Sequence, residues 1–127
     1  MDEDQIATLR GRRILIVEDE PMIAMTLEDM LKEVGCAVIG TASQVSDALD
    51  LIAAGGVDGA VLDVNLGLEK IDPVANELAR LGCPFIFTTG YGAIGIPHEH
   101  AGRAIVQKPF RSEEIAGALA QAFQSGS

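Results

Sequence analysis

Basic residues are scarce in this chain. Nine Lys and Arg face nineteen Asp and Glu, for a formal net charge of -10. A surface of that sign opposes nucleic-acid backbones and anionic membranes, both of which need clustered cations. The one basic cluster, Arg10, Arg12 and Arg13, is too short for a footprint and reads as a solvated edge. Cysteine is nearly absent. Cys36 and Cys83 lie beside apolar residues, with no CxxC and no histidine nearby, so they read as reduced core residues. Long apolar runs are missing: none approaches the ~18 residues of a membrane span. The start, Met1-Asp2-Glu3-Asp4, lacks the basic and apolar regions of a signal peptide. A cytoplasmic protein with no nucleic-acid or membrane partner is the expectation.

What the chain does have is apolar content. Hydrophobic residues make up 48% of 127, which excludes a disordered chain and suits one domain with a core that needs no staples.

Short apolar runs alternate with helical periodicity. Ile14 to Val17 reads as strand one, and Pro21 behind Glu18-Asp19-Glu20 starts a helix. Ile23, Leu27, Met30, Leu31 and Val34 share its apolar face, and Gly35 stops it. Cys36 to Gly40 reads as strand two, and Val45, Ala48, Leu49 and Ile52 as the next helix face. Gly59-Ala60-Val61-Leu62-Asp63 runs apolar residues straight into an acid, as a central parallel strand does. Asp72-Pro73 reads as cap and first-turn proline of the following helix. Pro84 to Thr88 reads as strand four and Ala104 to Gln107 as strand five. Ser112 reads as the cap of the last helix. Residues 1–11 form a loose or partly helical extension in this reading, 12–124 the domain and 125–127 a tail.

The segment from 90 to 103 breaks the rhythm. Gly90, Gly92, Gly95, Gly102 and Pro97 work against a helix interior, so the fourth helix is expected to be short, degenerate or absent, in a mobile loop. His98 and His100 there read as solvated. Met22, Met25 and Met30 read as packing on the first helix or covering its surface.

Five strands alternating with helices predict an α/β fold, a doubly wound parallel sheet covered on both sides. The strand ends then lie along one edge, where open α/β sheets place their chemistry. Glu18-Asp19, Asp63, Thr89 and Lys108 end four of the strands. Glu18, Asp19 and Asp63 repel one another, which a Mg²⁺ ion relieves. A hydroxyl donor, a cation and a metal together suit the oxygens of a phosphoryl group, and an aspartate beside them can take that group as a nucleophile. A cis bond at Lys108-Pro109 would aim the lysine inward.

The ordered set Val17-Glu18-Asp19-Glu20, Leu62-Asp63, Thr89 and Lys108-Pro109-Phe110 resembles a bacterial response-regulator receiver domain, over Arg12 to Phe123. The resemblance implies a flavodoxin-like sheet of strand order 2-1-3-4-5. It implies phosphorylation of Asp63 by a sensor histidine kinase or a phosphotransfer protein. It also implies Mg²⁺ on Glu18, Asp19, Asp63 and the backbone carbonyl of Asn65, with Thr89 and Lys108 contacting the phosphoryl group.

Four positions depart from the common receiver pattern. Gly67 stands where proline is usual, Gly90 replaces alanine, Ile105 replaces a switch aromatic, and the fourth helical segment is glycine-rich. Phe87-Thr88-Thr89-Gly90-Tyr91 is similar to the motif of the "FAT GUY" receivers, which often stand alone and are similar to partners of HWE and HisKA2 kinases. That likeness moves the switch role toward Tyr91, and phosphorylation is expected to order or reposition residues 90–103. No output domain fits in the remaining residues, so a stand-alone receiver, or one cut from a longer protein, is expected. It would signal by binding or act as a phosphoryl sink, with no enzymatic turnover beyond slow self-dephosphorylation.

Three other readings compete. A haloacid-dehalogenase-like phosphatase needs D-x-D after strand one, and a dinucleotide site needs G-x-G-x-x-G there. Neither motif is present. A phosphorylation-independent pseudo-receiver remains the alternative.

Overall fold

The computed structural model describes residues 3–90, 92 and 94–125. The strands are β1 (Arg13–Val17), β2 (Ala37–Ala42), β3 (Gly59–Asp63), β4 (Phe85–Thr89) and β5 (Ile105–Gln107). The helices are α1 (Glu3–Leu9), α2 (Pro21–Glu33), α3 (Val45–Ala53), α4 (Asp72–Arg80) and α5 (Ser112–Gln124). All strand pairs are parallel, in the order β2-β1-β3-β4-β5. The expected α/β architecture and strand order are therefore present.

Alternation along the strands splits the core into two layers. Leu15, Val17, Leu62, Phe85 and Phe87 face the side packed by α3 and α4. Ile14, Ile16, Val61, Ile86 and Val106 face the side packed by α1, α2 and α5. The central strands β3 and β4 are buried at every position, which is why they read as unbroken apolar runs. Phe123 of α5 closes directly on the start of β3. A Cβ at Gly59 would stand 2.7 Å from its ring and 3.2 Å from the Pro84 carbonyl oxygen.

Several expectations need adjustment. Strand two runs on to Ala42 and begins after Cys36, because its register continues alongside β1 to Val17. Ser112 and Asp72 are the first residues of their helices rather than caps. The α5 start is held instead by Glu114, whose Oε1 accepts the Arg111 N–H at 2.8 Å. The leading residues are helical over Glu3–Leu9 and docked: Leu9 is fully buried, and Gln124 Nε2 donates to Thr8 Oγ1 at 3.3 Å. Met22 and Met25 are largely exposed. Cys36 and Cys83 are free and buried, as expected.

Between β4 and β5 the helix present is one 3-10 turn, His98–His100, among the described residues. The expected loss of the fourth crossover helix leaves Phe85 and Phe87 to be covered another way. His100 corrects the reading of solvated histidines. It is buried, meets the Phe85 ring edge-on at 5.5 Å, and bonds through Nε2 to Asn76 Oδ1 at 2.8 Å. Arg103 stacks over Phe85 at 4.0 Å. A ring that is apolar at its edge and polar at one nitrogen replaces the missing helix.

Candidate functional site at the carboxyl edge of the sheet

The backbone stitches the strand ends together. Glu18 N–H donates to Ala42 O at 2.9 Å, Val64 N–H to Thr88 O at 3.1 Å, and Lys108 N–H to Thr89 O at 2.8 Å. β1 and β3 run in register from Ile14 with Gly59 to Val17 with Leu62, so Glu18 emerges beside Asp63. Asp63 pairs with Thr88, and Thr89 with Gln107, one residue before Lys108. The sheet thus brings Glu18, Asp63, Thr89 and Lys108 to one edge.

Glu18, Asp63 and Thr89 are buried there, and Asp19 is half-buried. The Lys108 ammonium lies 3.0 Å from Glu18 Oε1 and 3.5 Å from Asp63 Oδ2. Its peptide bond to Pro109 is cis. Asn65 N–H donates to Asp63 Oδ1 at 3.0 Å and Glu20 N–H to Glu18 Oε2 at 3.1 Å. Burial pushes the Glu18 carboxyl up to about 7; Lys108 opposes that shift and Asp63 adds to it. Burial alone would lower the Lys108 pKa, but the two carboxylates outweigh it and raise the value. One ammonium thus faces two buried carboxyl groups.

The acids fit a divalent cation. Carboxylate oxygens of Glu18, Asp19 and Glu20 lie within 4.8 Å of one another. Glu20 was not singled out in the sequence, where it reads as the acid before Pro21. Asp63 stands outside this cluster, held by Asn65 N–H and faced by Lys108. Gly67 explains one departure from the receiver pattern. Its φ is +60°, which proline cannot adopt, and a Cβ there would stand 3.9 Å from Asp19 Oδ2. Asn65 reaches the glycine-rich segment, since a Cβ on Gly95 would lie 3.7 Å from its Oδ1. Tyr91 lies outside the described residues. Beside Lys108, a mainly apolar cavity of about 310 Å³ is lined by Ile23, Thr26, Pro109 and Phe110.

A parallel sheet of this order, with an acid cluster, an aspartate and a lysine on its carboxyl edge, defines a flavodoxin-like receiver module. The chain belongs to the response regulator receiver domain family, whose model matches residues 14–120, and so to the proteins of two-component systems. It is 32% identical to the phyllosphere-induced regulator PhyR of Methylorubrum extorquens over 93% of this chain and 46% of PhyR. It spans about half the length of that relative. It is 30% identical to protein PilG of Pseudomonas aeruginosa, over 86% of this chain and 85% of PilG. Its fold superposes on SdrG from Sphingomonas melonis Fr1 with TM-score 0.80 and 44% identity, over 91% of this chain and 98% of SdrG. A BeF3-activated conformation of SdrG matches with TM-score 0.74 and 46% identity. None of the helices is long and apolar enough to cross a membrane, among the described residues.

Proposed function

We propose that this receiver takes a phosphoryl group on Asp63 from a sensor histidine kinase or a phosphotransfer protein, and signals through its own surface in the cytoplasm. The observation that carries the reading is the Lys108 ammonium set between buried Glu18 and Asp63. An oxygen of Asp63 forms the new P–O bond while the bond from phosphorus to the donor breaks, and the leaving group keeps the electron pair. Lys108 and the Thr89 hydroxyl receive the charge on the phosphoryl oxygens. Glu18, Asp19, Asp63 and the Asn65 carbonyl would hold Mg²⁺, with Glu20 close enough to join them. The ion supplies charge neutralisation for the phosphoryl oxygens when bound.

The likeness of Phe87-Thr88-Thr89-Gly90-Tyr91 to the FAT GUY motif supports a stand-alone role in that subgroup, with an HWE or HisKA2 kinase as donor. Slow self-dephosphorylation would accompany it, and a sink role is the other way such a chain can act. Incubation with acetyl phosphate and Mg²⁺ tests the reading. The wild type should gain the mass of one phosphoryl group and Asp63→Asn should not. No Asp63-dependent gain returns the chain to the pseudo-receiver reading.

A further inference from the structure

Glu18 Oε1, Asp63 Oδ2, Asn65 Nδ2 and Thr88 Oγ1 are buried without a hydrogen-bond partner among the described residues. Lys108 faces the first two, and Asn65 borders a cavity of about 410 Å³ between its loop and Gly95. Thr88 has no such neighbour to account for it. It is fully buried, in a position where valine would fill the same space without an orphaned hydroxyl.

Its place in the sheet is specific. β3 and β4 pair Val61 with Ile86 and Asp63 with Thr88. Residues in register project to one face, and Val61 and Ile86 both lie in the layer under α2 and α5. Asp63 and Thr88 therefore share that face. Glu18 flanks Asp63 on β1, while Lys108 leaves β5 and spans the end of β4 to reach both acids. The row Glu18, Asp63, Thr88, Lys108 crosses four adjacent strand ends, and Thr88 is its one neutral donor.

We infer that the Thr88 hydroxyl is a positioning donor for the Asp63 carboxylate. The inference rests on the reading of Asp63 as phosphoacceptor and deepens it. At rest, the Asp63 carboxyl faces the Lys108 ammonium at Oδ2 and has the Glu18 carboxyl beside it. When Lys108 turns to a phosphoryl oxygen, Oδ2 of Asp63 loses its cationic partner. Rotation about the Thr88 Cα–Cβ bond then supplies a charge-assisted hydrogen bond and keeps the carboxylate aimed. Thr88 acts through Asp63 and touches no reacting phosphorus.

The test follows acetyl phosphate and Mg²⁺ phosphorylation by intact mass over time in the wild type, Thr88→Val, Thr88→Ser and Asp63→Asn, with thermal melts of each. Thr88→Val should keep a Tm at or above wild type, because it removes an unpaired hydroxyl. Its maximal phosphorylation rate should fall about tenfold, the worth of one hydrogen bond to a charged group. Half-saturation in acetyl phosphate should stay unchanged, and Thr88→Ser should restore the rate. A wild-type rate in Thr88→Val overturns the inference, as does a serine variant as slow as the valine one. A Tm drop in Thr88→Val also overturns it, since the hydroxyl would then be paired at rest. If the wild type itself gains no Asp63-dependent phosphoryl group, the phosphoacceptor reading falls and this inference with it. If it does, and only Thr88→Val fails to slow, Thr88 alone is wrongly assigned.

Discussion

Single side chains were legible where they end an apolar run. Glu18 and Lys108 follow strands and Asp63 ends one, and a parallel sheet can only deliver them to one edge. Glu20, Thr88 and His100 were not legible, because their importance lies in burial and neighbours that no local pattern encodes. The cysteines were legible as core, and their burial has a measurable consequence. Burial pushes both thiols from the ordinary 9.0 to about 11, with Asp58 adding to the shift at Cys83. The unfolded chain thus releases these protons first as pH rises. Between pH 9 and 11 it carries fewer protons than the fold, so the cysteines contribute stability below 9 that is lost as pH passes through 11. Urea midpoints across that window should fall more steeply in the wild type than in Cys36→Ala/Cys83→Ala, which starts lower because of its cavities. Equal slopes would show that the thiols titrate alike in both states.

Elements were read correctly where periodicity is strong and misplaced where geometry decides. The strands and α2 to α5 follow from apolar spacing, but cap positions shifted by one residue: Arg111 precedes α5, and its N–H donates to Glu114 Oε1. That the described residues between β4 and β5 hold one 3-10 turn was foreseeable from the glycines there; what covers the sheet was not, since His100 reaches Asn76 across 24 residues of sequence. Gly59 shows the same limit. It reads as an ordinary strand start, yet α5 presses on it. A methyl group there meets both a ring and a backbone carbonyl, and only the ring can move. Gly59→Ala should therefore destabilise the fold by about 1–3 kcal/mol, as overpacking does. Phe123→Leu in the same chain should recover part of that loss. Denaturant unfolding of the two variants checks it, and no recovery in the double variant would place the strain at Pro84.

At the scale of the molecule, the two edges of the sheet divide the labour. The acids, Thr88 and Lys108 sit at the carboxyl edge. α1 is tied to the other end: Gly11 N–H donates to Gly35 O at 2.8 Å, and the Cys36 thiol donates to Leu9 O at 3.5 Å. β1 runs five residues between these ends, about 17 Å at the rise of a strand. The sequence hinted at a partly helical extension outside the domain, but Leu9 joins Leu31, Cys36 and Leu119 in the same apolar layer. α1 packs on α5 at Gly117, where a Cβ would stand at ordinary contact distance, 3.5 Å, from Gln5 Nε2. Leu9 thus packs in the core that α2 and α5 share. Leu9→Ala should cost about 2–4 kcal/mol, as for a filled aliphatic core site. It should leave the Asp63 phosphorylation rate unchanged under conditions where the variant is folded, because no strand end at the site moves. Denaturant midpoints and acetyl phosphate time courses on the same preparation separate the two effects. An unchanged midpoint would return residues 1–11 to a dispensable extension, and a slowed phosphorylation in folded protein would mean that α1 reaches the site through α5.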